Sequence, residues 1–99
     1  MDQGEFRMQA VKVFKALSDP TRYEMVRMLA SRREVSCQTF QETFNLSPSA
    51  LSHHYRVLEN AGLTSTRRDK QYLFHQLDVS TLQRFVPEFV ETHAPSVPA

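Results

Sequence analysis

The stretch Phe44-Asn45-Leu46-Ser47-Pro48-Ser49-Ala50-Leu51-Ser52-His53-His54-Tyr55-Arg56-Val57-Leu58-Glu59-Asn60-Ala61-Gly62-Leu63 holds the end of one helix, a short turn and the whole of another. Asn45 follows Phe44 where the chain must turn left-handed, a conformation that asparagine tolerates better than most residues. Ser47-Pro48 supplies a capping hydroxyl and a ring pre-organised for the first helical position, and Gly62 stands just past the expected end. Leu51, Tyr55 and Leu58 fall at i, i+4 and i+7 and must face a core. The opposite face is left with Ser49, Ser52, His53, Arg56 and Asn60. It carries no carboxylate to repel a phosphate backbone, its hydroxyls allow close approach, and His53 and Arg56 can donate to major-groove acceptors.

Upstream, Ser36 caps a short third helix, with Val35 and Phe40 at the spacing of a hydrophobic staple and Phe40 and Phe44 on its buried face. Two helices four residues apart make a helix-turn-helix. Farther back, Phe6, Ala10, Val13 and Leu17 repeat with the helical period, and Ser18-Asp19-Pro20 closes that helix and opens a second, over about 20–30. Arg32-Arg33-Glu34 reads as a polar connector.

Downstream, 63–68 and 71–77 are strand-like runs rich in Thr, Tyr, Phe and Leu. They predict a hairpin turning at Asp69-Lys70, with Asp69 taking the unusual backbone or a loop longer than two residues. Arg67, Arg68 and Lys70 gather at its tip. A last helix carries Leu82, Phe85, Val86, Phe89 and Val90 on one stripe with no obvious partner in the chain, and Pro87 must kink or restart it. Residues 1–93 are expected to form one domain, and 94–99, with two prolines, a flexible tail.

Composition sets bounds on all of this. Ninety-nine residues, 40% hydrophobic, suit a single globular domain. The formal charge is only +1, yet it is unevenly spread. Between 52 and 76, Arg56, Arg67, Arg68 and Lys70 outweigh Glu59 and Asp69; between 78 and 99, Asp78, Glu88 and Glu91 outweigh Arg84. No apolar run reaches the ~20 residues of a membrane span, and the acidic start lacks the pattern of a secretory signal, so a cytoplasmic protein with no membrane partner is expected. With two glycines there is no phosphate-binding loop, and no nucleophile stands beside a base, so an enzyme is not expected.

Three runs together resemble the ArsR/SmtB family of winged helix-turn-helix repressors: Ala16-Leu17-Ser18-Asp19-Pro20-Thr21-Arg22, then 46–63, then the wing Arg67-Arg68-Asp69-Lys70-Gln71-Tyr72. The resemblance spans about 6–91. It implies a mainly α fold of about five helices with a β-hairpin wing, homodimeric through its first and last helices. It also implies binding to a double-stranded DNA operator until a signal releases it. The expected DNA contacts are Ser47, Ser49, Ser52, His53, Arg56, Arg67, Arg68 and Lys70. The expected dimer seam is Phe6, Ala10, Val13, Leu82, Phe85 and Phe89.

The sequence departs from the family where metals bind. Cys37 lies between Ser36 and Gln38, so the paired thiolates of family sensors are missing. Asp78 matches a second family site loosely, Ser80 replaces its histidine, and Glu91 and His93 are out of register. Adjacent His53 and His54 point about 100° apart on a helix and cannot share an ion without outside ligands. No metal and no cofactor are expected. Cys37, near a helix amino terminus, is a candidate redox sensor if its pKa is lowered there, with a buried structural thiol as the plainer reading. The effector is not legible. The alternative to DNA binding is a winged-helix module that docks a protein partner, against which the basic wing argues.

Overall fold

The computed structural model describes residues 1–94 of the chain. Its elements run α1 (Gln3–Leu17), α2 (Pro20–Arg32), β1 (Glu34–Ser36), α3 (Cys37–Phe44), α4 (Pro48–Asn60), β2 (Thr64–Asp69), β3 (Tyr72–Leu77), α5 (Val79–Phe85) and α6 (Phe89–His93). Five of the six helices among the described residues start at a side-chain cap. Asp2, Asp19, Ser36, Ser47 and Asp78 accept from the backbone N–H of Glu5, Arg22, Thr39, Ala50 and Thr81, satisfying one otherwise orphaned donor in each first turn. Asn45 ends α3 at φ 51°, as its local chemistry predicts, and Arg33 ends α2 at φ 69°.

The strands form one antiparallel sheet in the order β1-β3-β2. β1 escapes a sequence reading because Glu34-Val35-Ser36 is too short for a pattern; it pairs with Gln76, His75 and Phe74. The turn between β2 and β3 is Lys70-Gln71, and Lys70, not Asp69, takes the positive φ of 58°. β2 runs one residue farther than expected and β3 starts one later, moving the turn forward and leaving Asp69 paired with Tyr72.

The core is built from Val13 and Ala16 of α1, Met25, Val26 and Leu29 of α2, Phe40, Leu51 and Leu58 of the helix-turn-helix, Leu63, and Leu82, Phe85 and Phe89 at the end. Four of the six residues of the expected dimer seam lie in this core. Val13 and Leu82 are wholly buried, and Phe85 and Phe89 nearly so, inside the single chain. The carboxyl-terminal stripe has its partner after all, because Pro87 and the left-handed Glu88 break the helix and fold α6 back onto α2. There Tyr23 meets the rings of Phe89 and His93, and its hydroxyl lies 2.8 Å from His93 Nδ1. Apolar surface stays exposed on α1 instead, at Met8, Val11 and Phe14. Phe6, 41% exposed, packs on Phe85 with ring centroids 4.8 Å apart and planes tilted by 34°, and Ala10 is half-buried. Most of the expected tail, 95–99, lies outside the described residues. No helix among the described residues is long and apolar enough to cross a membrane.

Candidate nucleic-acid interface

α3 and α4 are joined by Asn45-Leu46-Ser47, with Leu46 dropping onto the core. α4 is held from below by Leu51 and Leu58, both buried, and by Tyr55, whose ring lies 3.9 Å from that of His75 and 6.0 Å from that of Phe40. With that face fixed, Ser49, Ser52, His53, Arg56 and Asn60 all stand exposed on the other. Ser47 is also exposed, but its Oγ accepts from Ala50 N at 3.1 Å; its first duty is the cap.

A clamp that sequence reading missed sets the orientation of α4. The Arg22 guanidinium donates through Nε to Ala16 O at 2.9 Å and lies 3.1 Å from His54 Nδ1 through Nη1. Arginine can only donate, so Nδ1 accepts and His54 is neutral with its proton on Nε2. Burial pushes the His54 pKa down, consistent with that state, and the 3.9 Å approach of Asp19 is too long to reverse it. One side chain thereby ties the end of α1, the start of α2 and the middle of α4. Thr21-Arg22 stood in the first run of the resemblance, but nothing local told that its side chain reaches 32 residues ahead.

The wing residues divide. Arg67 forms a two-pronged pair with Glu34, Nε–Oε2 2.9 Å and Nη2–Oε1 2.7 Å, and lies 4.7 Å over the Phe74 ring. Arg68 and Lys70 are exposed and make no ion pair among the described residues. Of the three expected wing cations, two therefore remain free and one is spent within the sheet. β2 packs against α4, so the hairpin and the exposed helix face lie side by side.

Cys37 sits half-buried at the start of α3 with Sγ 3.1 Å from His75 Nε2. Burial pushes its pKa up, with smaller opposing contributions from Tyr55 and the helix backbone. This corrects the expectation of a lowered pKa, since desolvation outweighs the helix terminus and disfavours the thiolate that redox sensing requires. Among the described residues, no three His, Cys, Asp or Glu side chains are grouped to hold a metal ion.

Comparison with known proteins agrees with this geometry. Residues 17–67 match the helix-turn-helix domain family. The HTH-type transcriptional regulator YceK of Bacillus subtilis is 38% identical, the match covering 93% of this chain and 92% of YceK. The transcriptional repressor SdpR of the same organism is 35% identical over 72% of this chain and 78% of its own. Reduced HlyU of Vibrio cholerae superposes with a TM-score of 0.72 at 26% identity, covering 91% of this chain and 95% of its own; HlyU is named a transcriptional activator. On the capped helix-turn-helix, the hairpin wing and these likenesses, the chain belongs to the ArsR family of winged helix-turn-helix, DNA-binding transcriptional regulators.

Proposed function

We propose that the protein is a homodimeric repressor that covers an operator with α4 and the wing of each protomer, acting by occupancy and not by catalysis. The observation that carries this is the exposed face of α4: Ser49, Ser52, His53, Arg56 and Asn60, with no carboxylate among them, flanked by the free cations Arg68 and Lys70. Serine and arginine there suit base edges and phosphates; Arg68 and Lys70 suit the neighbouring backbone. Two-fold pairing is supported by Met8, Val11 and Phe14, which are 66%, 53% and 54% exposed within two turns of α1 and would be covered by the same face of a second copy.

A gel shift on the DNA upstream of the protein's own gene tests the reading. Arg56, Arg68 and Lys70 from two protomers make about six phosphate contacts, so log K against log salt should fall with a slope of about −5. A flat salt dependence overturns it. Transcription in vitro from the bound fragment then separates repression, which lowers the transcript, from activation, which raises it.

A further inference from the structure

Between α3, α4 and the wing lies a cleft of about 400 Å³ whose inner wall the DNA-binding reading does not use. Cys37, Tyr55 and His75 line it with polar atoms, Leu51 and Leu73 give it apolar walls, and Ser52 and Arg56 of the exposed α4 face stand at its edge. We propose that this cleft is an effector site for a neutral, planar aromatic molecule carrying one hydroxyl or carbonyl group, and that its occupancy weakens DNA binding by α4. The second half of the proposal rests on the DNA-binding reading; the first does not.

Shape and size come first. A cleft of this volume is within the range of small-molecule sites, which are mostly apolar with a few placed polar groups. The Tyr55 ring, backed by the buried His75 ring with centroids 3.9 Å apart and planes 31° from parallel, offers an aromatic surface on which a flat ring can stack. The polar handle is Tyr55 Oη, which is buried and, among the described residues, has only the weak interaction with the Cys37 thiol. A buried hydroxyl so weakly paired costs free energy that a ligand hydroxyl or carbonyl would recover.

Neutrality follows from what the surroundings do to charge. The Cys37 thiol and the Tyr55 phenol are pushed up and the His75 imidazole is pushed down, and burial is the leading cause for all three. Each is thereby held in its uncharged form, and with Leu51 and Leu73 beside them a ligand carboxylate or ammonium on this inner wall would meet the same penalty, the charged Arg56 and Glu59 standing at the exposed rim. Coupling to DNA follows from position. Ser52 and Arg56 belong both to the cleft and to the face expected to meet the operator, so a molecule seated there displaces or re-aims them.

Calorimetric titration of the full chain with 2-naphthol and, separately, 2-naphthoate tests the site without DNA. Saturable binding of 2-naphthol, at least tenfold tighter than 2-naphthoate, is expected. Tyr55→Phe, which keeps the ring and removes the hydroxyl, should weaken 2-naphthol roughly fivefold, the worth of about one net hydrogen bond. Leu73→Trp, which fills the cleft, should abolish binding while circular dichroism stays unchanged. No binding, equal binding of the naphthoate, or binding indifferent to both variants overturns the site. A gel shift on upstream DNA with and without saturating 2-naphthol tests the coupling: release supports it, and an unchanged shift overturns it. Failure to bind DNA at all would count against the repressor reading and leave the titration standing.

Discussion

Arg67 of the wing is locked onto Glu34 of β1 by two parallel hydrogen bonds, 2.9 and 2.7 Å long, across a sheet whose middle strand lies between them. Gln76 Nε2 adds a third bond to the Glu34 carboxylate at 2.9 Å. The pairing holds Glu34 below its ordinary carboxylate range, chiefly through the Arg67 bond, and raises Arg67 reciprocally. Glu34→Gln should leave fold and dimer unchanged and free Arg67 for phosphate. Operator affinity should then rise at low salt, and the log K against log salt slope should steepen by about two per dimer. An unchanged slope would mean that Arg67 already leaves Glu34 when DNA binds.

His75 makes stability depend on pH in a predictable sense. Burial pushes its pKa from 6.5 down to about 4, so between those values the unfolded chain takes up a proton that the folded chain refuses. Stability is therefore full above about pH 7 and falls as pH drops through the unfolded value, by roughly 2 kcal/mol between pH 7.5 and 5. His54, also pushed down by burial, adds in the same direction. Urea unfolding at the two pH values measures the loss, and His75→Gln should remove most of it. A loss of equal size in the variant would assign the effect elsewhere.

Arg22→Ala should act on DNA binding beyond its effect on stability. The variant strands His54 Nδ1 and Ala16 O and unties α4 from the α1–α2 corner. Unfolding free energy should fall by roughly 1–3 kcal/mol, the range for leaving buried polar groups unpaired. Operator affinity should drop at least tenfold even at temperatures where the chain remains folded. If affinity merely tracks the folded fraction, Arg22 is a staple and does not orient α4.

What the sequence disclosed and what it hid divide along the range of the interactions. The turn at Asn45, the Ser47-Pro48 start and the polar face of α4 all depend on residues within one or two helical turns, and each is found where local chemistry puts it. β1 exists only because β3 offers it an edge, 42 residues away at Glu34–Gln76. The same distance effect misled the reading of the last helix. Its stripe looked unpartnered because the break at Pro87 and the left-handed Glu88, which fold Phe89 onto Tyr23, cannot be measured along the chain. Arg67 looked like a DNA ligand for the same reason, since Glu34 stands 33 residues before it.

The burial of four seam residues relocates the surface on which a dimer should be broken. Val13, Leu82, Phe85 and Phe89 are poor targets, because a charge there unfolds the protomer before it separates two of them. Phe14 is the better one: more than half exposed, on the same side of α1 as Val11, and absent from the core. Phe14→Glu should therefore leave circular dichroism and unfolding almost unchanged, within about 0.5 kcal/mol as for other surface substitutions. In light scattering it should shift the protein from about twice the 11.5 kDa chain mass to the chain mass itself. Operator affinity should fall by more than a hundredfold, because the two half-sites are then bound independently and the advantage of linked binding is lost. A Phe14→Glu protein that still elutes as a dimer would place the two-fold axis away from this face of α1. One that is monomeric yet binds the operator as tightly as the parent would show that a single α4 and wing suffice.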